Sequence, residues 1–226
     1  MKKLTITLIL IMSIASAFAQ EKAVPKGGQK LEYIEVKSYI ELPAPQRKGG
    51  MPLYEALNMR QTNRTFAEKP LTLQQISDLL WCANGVNRGD GKRTAPSARN
   101  AREIEIIVFT DKGVFLYIPD KHGLKMLFEE DMRSRVSARS EMPEKAPVCL
   151  LFAANRAKMD GFDEEAIRFY GCTDAGYVSQ NVYLYCAANK LNTVVMGAID
   201  RDALREVLPF DGDPVLAQPI GYPLEK

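Results

Sequence analysis

Histidine occurs once in this chain of 226 residues, at His122, and tryptophan once, at Trp81. One imidazole excludes a multi-histidine metal site. With four cysteines and no C-x-x-C, no cluster of zinc-ligand spacing remains. Serine or cysteine hydrolase chemistry would have to run through His122, which sits in the turn P-D-K-H-G-L with no G-x-S-x-G anywhere in the chain. Phosphate loops of the G-x-x-x-x-G-K-[ST] and G-x-G-x-x-G types are also missing. An excess of charge is lacking too: 30 Lys and Arg face 28 Asp and Glu. That balance argues against a nucleic-acid surface as the chain's purpose.

The longest apolar run stands at the N-terminus. Lys2 and Lys3 precede the apolar stretch Leu4 to Ile14, and Ala17-Phe18-Ala19 has the small-x-small form of a signal-peptidase site. Leu4 to Ala19 is sixteen residues, short of the roughly twenty a membrane span needs. These features predict a signal peptide over 1–19, an exported protein (periplasmic or secreted), and no membrane span after cleavage. Without Lys2 and Lys3 the chain has 28 basic and 28 acidic residues. In an exported chain Cys82, Cys149, Cys172 and Cys186 invite a disulfide reading, but their apolar, helical or strand-like surroundings favour buried free thiols.

Residues 20–50 read as a tether rich in Pro and Gly, with one alternating piece, LEYIEVKSYIEL, suited to an arm or edge strand. The folded domain is expected over 51–226. Pro52 opens a short helix over Leu53–Met59, and Thr72 with Gln75 forms a capping box for another. Ile104–Phe109 and Val114–Ile118 flank Asp111-Lys112-Gly113 as a hairpin. The spacing predicts a helix over Lys125–Ala138 with Arg133, Arg135 and Arg139 solvated. It also predicts a strand over Ala146–Ala154, a helix from Arg201 capped by Asp200, and a last strand over Val215–Ile220. The organising stretch is Thr173–Gly197: a helix over Asp174–Lys190 apolar on two sides, an Asn192 exit, then the strand TVVMGAID. A helix apolar on two sides is buried or packs on another subunit. Helices and strands alternate without βαβ spacing, so the fold class is α+β with a mostly antiparallel sheet.

The chemistry-bearing pattern is R-Q-T-N-R at Arg60–Arg64. If the first helix continued, both guanidiniums would share one side with the Thr62 hydroxyl between them, a set suited to phosphate. By itself such a pair is ordinary surface charge. Taken with P-S-A-R-N at Pro96–Asn100 and V-M-G at Val195–Gly197, it resembles the nitroreductase-like FMN flavoproteins, over about Pro52 to Pro223. The loop W-C-A-N-G-V-N-R also resembles the azoline-oxidising branch.

The resemblance implies an α+β sandwich whose central helix lies at a homodimer interface, with FMN as cofactor. It implies Arg60 at the FMN phosphate, Gln61 among the cofactor-binding residues, Thr62 in place of the family serine, and Arg64 near the flavin pyrimidine edge. Pro96, Ser97 and Asn100 would come from the partner subunit. The backbone N–H of Gly197 would face flavin N5, with Met196 beside it among the cofactor-binding residues. The implied activity is hydride transfer via the flavin to or from a small organic substrate such as a nitro compound or quinone; no catalytic side chain is identified. The alternative is a non-catalytic relative holding flavin or a small anion. Three departures from the pattern stand out. Little chain follows the last strand to supply basic residues, Arg102 replaces a common glutamine, and export would remove the protein from cytosolic NAD(P)H.

Overall fold

The computed structural model describes residues 38–225. Its contacts divide the chain into Met1–Lys30 and Leu31–Lys226, and the described residues belong to the second unit. The signal peptide over 1–19 and most of the tether lie outside them.

Two largely apolar strands fix the architecture. β2 (Ile104–Thr110) and β5 (Val148–Asn155) are buried at every position, as strands covered on both faces must be. They pair antiparallel in a seven-stranded sheet of order β1-β4-β3-β2-β5-β7-β6. The other strands are β1 (Tyr39–Glu41), β3 (Gly113–Ile118), β4 (Gly123–Phe128), β6 (Asn192–Thr193) and β7 (Gly212–Gly221). Every pairing is antiparallel, as the α+β reading requires.

Alternation along β2 sorts the core into two layers. Ile104, Ile106 and Val108 point to one face, against α2 (Leu73–Asn84) and α4 (Glu164–Ala188). Ile107 and Phe109 point to the other, packing with Val136, Leu204 and Val207. That second face is covered by α5 (Arg201–Arg205) and a 3-10 turn over Arg133–Val136. The remaining helices are short: α1 (Leu53–Met59) and α3 (Met142–Lys145).

Local signals hold where they are chemically specific. The Thr72 hydroxyl accepts the Gln75 amide at 3.2 Å, and Gln75 Oε1 accepts the Thr72 amide at 3.0 Å. Asp200 caps α5 by accepting from the Ala203 amide. Several expectations are corrected. Lys125–Ala138 is not a helix, because Gly123–Phe128 pairs with both β1 and β3. A Cβ on residue 123 would stand 2.9 Å from the Ile40 carbonyl oxygen and collide with the Tyr39 ring, so glycine there lets β1 approach closely. Nor is Arg133 solvated: its guanidinium pairs with Asp131 at 2.6 Å and donates to the Ala146 carbonyl at 2.9 Å.

The central helix also begins ten residues early, capped by Asp163 through the Ala166 amide at 2.8 Å. Its 25 residues span about 37 Å. Asn192 is not its exit residue. Lys190 takes the left-handed φ of 56°, and Asn192 enters β6. The strand expected through Gly197 is only two residues long, continued by one bridge from Met196 to Ala217.

The folded body begins before residue 51. Ile40 and Leu42 are in the core, and the Ser77 hydroxyl donates to the Pro43 carbonyl at 2.6 Å. With its proton so used, Ser77 Oγ accepts from His122 Nε2 at 2.7 Å, leaving Nδ1 to accept from the Tyr117 hydroxyl at 3.0 Å. Burial lowers the His122 pKa, favouring this neutral form. The serine is fully buried, so the trio is a structural clamp.

Candidate functional site

Arg60 ends α1 with φ −59° and ψ 121°, so the helix does not continue through R-Q-T-N-R and the i, i+4 argument fails. Alternation takes its place. Arg60 and Thr62 both face Tyr183 on α4. The Arg60 guanidinium carbon lies 5.3 Å from the ring centroid, and the Thr62 and Tyr183 hydroxyls are 3.0 Å apart. Tyr183 also accepts the Val195 amide at 2.9 Å, and the Asn63 amide donates to the Thr193 carbonyl. One tyrosine thus ties the R-Q-T segment to the V-V-M-G segment. Met196 is buried and exchanges two backbone bonds with Ala217, at 2.7 and 3.0 Å.

The next residue, Gly197, is exposed, and a Cβ there would meet only Leu216 at 4.0 Å. Its surroundings leave room for a ligand against the backbone. Among the described residues neither Arg60 nor Arg64 has a carboxylate partner within ion-pair distance. The Arg60 guanidinium, the Thr62 hydroxyl and the open glycine fit a phosphorylated cofactor, whereas exposed Arg64 makes no contact with this junction. Gln61 and Asn63 line an adjoining cavity of about 240 Å³ with Tyr183, Lys190 and Asn192. That falls below the roughly 300–1,000 Å³ of complete small-molecule pockets. A larger cavity of about 500 Å³ lies between segment 46–56, α2 and α4; Trp81, Cys82 and Asn87 of the W-C-A-N-G-V-N-R loop line it, but none of the candidate cofactor residues does.

Pro96, Ser97 and Asn100 lie apart from this junction. The Ala98 amide donates to Asp174 on α4 at 2.9 Å. Asp174 and Tyr183 are nine residues apart on one helix, about 13 Å along its axis. Pro96 and Asn100 are exposed, and the Ser97 hydroxyl accepts the Arg102 amide at 2.9 Å. Arg102 turns its guanidinium to the Gly91 carbonyl at 3.2 Å.

Tyr183 and Asp174 escaped the sequence reading. A signal existed for Asp174, the one charged residue between Phe169 and Asn189. The four cysteines are free; Cys82, Cys149 and Cys186 are packed away, while Cys172 is exposed, contrary to expectation. Burial pushes the Cys82 thiol to about 11 and Cys149 to about 12.

An antiparallel sheet covered on both faces, with an anion-type donor set where a long helix meets the R-Q-T and V-V-M-G segments, defines an α+β protein of nitroreductase-like architecture. The nitroreductase family profile matches residues 57–222, and the chain belongs to that family. It is 31% identical over 196 residues to a candidate nitroreductase of Methanocaldococcus jannaschii, covering 82% of this chain and 97% of the relative. A crystal structure of a candidate nitroreductase from Ralstonia eutropha superposes with a TM-score of 0.78 at 34% identity, covering 89% and 97% of the two chains. A candidate NAD(P)H:FMN oxidoreductase from Staphylococcus epidermidis shares the fold at TM-score 0.59 and 14% identity, over 80% and 92%. The protein is therefore a nitroreductase-family oxidoreductase.

Proposed function

We propose that this oxidoreductase uses FMN, works as a homodimer outside the cytoplasm, and reduces or oxidises a small organic substrate such as a nitro compound or quinone. The observation that carries the reading is the Tyr183 junction, which presents Arg60 and Thr62 beside an open Gly197. Bound flavin would supply hydride chemistry that no side chain here can. Arg60 and Arg64 would hold its phosphate and pyrimidine edge, Thr62 would donate or accept one hydrogen bond, and Gly197 would leave its backbone accessible.

A second chain supplies what one chain separates. The Ser97 turn is anchored at Asp174 through the Ala98 amide and Arg60 at Tyr183, so the turn of one subunit would complete the site of the other. The exposed face of α4 supports such pairing. From Phe169 to Asn189 its only charge is the buried Asp174, and it exposes Phe169 at 62% and Tyr177 at 46%. On α1, Leu53 and Tyr54 add 61% and 87%. Such a face is typical of an association surface.

Purified protein should show the visible absorbance of oxidised flavin. Apoprotein should bind FMN far more tightly than riboflavin, because only FMN brings a phosphate to Arg60. Equal affinity for both would remove Arg60 from the phosphate site. Turnover with an artificial donor would distinguish an enzyme from a flavin-binding relative. The intact mass of the exported protein should correspond to a chain beginning at Gln20.

A further inference from the structure

The turn that carries Ser97 is strained. Arg99, Asn100 and Arg102 have φ values of 50°, 57° and 54°, a left-handed region that costs non-glycine residues energy unless surroundings impose it. Three restraints impose it. Arg99 stacks over the Phe162 ring at 4.5 Å, the Ser97 hydroxyl holds the Arg102 amide, and Asp174 holds the Ala98 amide. The last ties the turn to α4.

Glu103 follows the turn directly; it is fully buried, has Asp174 as a neighbour, and neither of its carboxyl oxygens is hydrogen-bonded among the described residues. As a carboxylate it faces another carboxylate with no donor; as a carboxylic acid it can donate to Asp174. The remaining charges around it are largely engaged. Arg93 points at the carbonyls of Arg102 and Ile104, at 3.5 and 3.4 Å. Glu105 is paired with Lys158 at 2.5 Å, and Lys158 also donates to the Arg102 carbonyl. Burial first, and Asp174 as neighbour, push Glu103 up to about 7 against the opposing pull of Arg93.

We propose that Glu103 and Asp174 form a proton-dependent latch on the Ser97–Asn100 turn. With Glu103 protonated, its carboxyl donates to Asp174, which in turn holds Ala98. When Glu103 loses its proton, two buried carboxylates repel and the turn is released. Both are positioning residues. The functional consequence rests on reading the turn as a flavin contact; the structural one does not.

The test uses the full chain at pH values on both sides of 7. FMN is titrated into apoprotein of the wild type, Glu103→Gln, Asp174→Asn and Asp174→Ala, and the Ala98 amide resonance is followed in ¹⁵N-labelled protein. Wild type should lose roughly tenfold in FMN affinity above the midpoint, as one hydrogen bond to a charged group would give. The Ala98 resonance should move with the same midpoint. Glu103→Gln keeps a donor and should be flat in both measurements. Asp174→Ala should be weak at every pH, and Asp174→Asn, which retains an acceptor, should restore most of the affinity. An Ala98 resonance that does not titrate, or a Glu103→Gln curve that follows wild type, overturns the latch. If wild type takes up no flavin at any pH, the cofactor reading fails, and the Ala98 resonance alone decides the latch.

Discussion

The Tyr183 hydroxyl accepts the Val195 amide at 2.9 Å, and among the described residues no other group takes that amide. Phenylalanine at 183 would keep the ring under Arg60 and leave a partly buried N–H without a partner. An orphaned donor of this kind costs about 1–3 kcal/mol. Tyr183→Phe should therefore lower the urea midpoint with an unchanged slope and loosen the Thr62 segment. An unchanged midpoint would mean that water replaces the hydroxyl.

Arg60 is the arginine fixed in place, stacked on a buried ring, whereas Arg64 is exposed. Arg60→Ala should weaken FMN binding by about 2 kcal/mol, roughly thirty-fold. Riboflavin affinity should change much less. Flavin titration of apoprotein measures both.

A shared site makes a prediction that no single-chain site can match. Arg60→Ala and Ser97→Trp each damage both sites of their own homodimer. A mixed dimer of the two variants concentrates both lesions in one site and leaves the other intact. Differently tagged chains, co-expressed and isolated as the mixed dimer, should hold about half the wild-type flavin. Mixed dimers as empty as their parents would mean that each site is built within one chain.

Gly176 separates association from folding. It lies on the exposed, uncharged face of α4, and a Cβ added there meets nothing within 4 Å. Arginine is the better helix former by up to about 1 kcal/mol, so Gly176→Arg should cost the monomer fold nothing. It should nevertheless shift the protein from dimer to monomer by light scattering. A dimer that persists would place the interface elsewhere.

Glu103 should also mark the pH dependence of stability. Its folded pKa, about 7, lies above its ordinary value of 4.5. Its contribution is therefore fully present below 4.5 and lost as pH rises toward 7. Glu103→Gln does not titrate. The variant should gain on wild type across that window, by on the order of 3 kcal/mol at its upper end, and match it in acid. Urea unfolding of both proteins at several pH values checks the sign.

What the sequence made legible was local chemistry. The Thr72–Gln75 box, the Asp111-Lys112-Gly113 turn and the Asp200 cap each need only neighbours a few residues away. The length of α4 was hidden because Thr173 and Asp174 read as an N-cap just beyond Gly171. In the fold Gly171 is where the helix meets β5 so closely that a Cβ would come within 3.1 Å of Ala154. Lys125–Phe128 reads as helical but is claimed by ladders on both sides. Within the site, Arg60 and Thr62 could be nominated from the pattern. Tyr183, 121 residues from Thr62 in the chain, could not, because its role exists only once α4 is packed.

The order of the sheet has a consequence for how the protein behaves in a crowd. Its long strands, β2, β5 and β7, are all interior, while its borders are β1 and β6, three and two residues long. A border that short offers almost no row of free amides and carbonyls on which another chain could template itself. Loss of Tyr39–Glu41 would change that, because the six residues of β4 would become the rim. The segment that resembles a mere leash therefore doubles as a guard against filament growth.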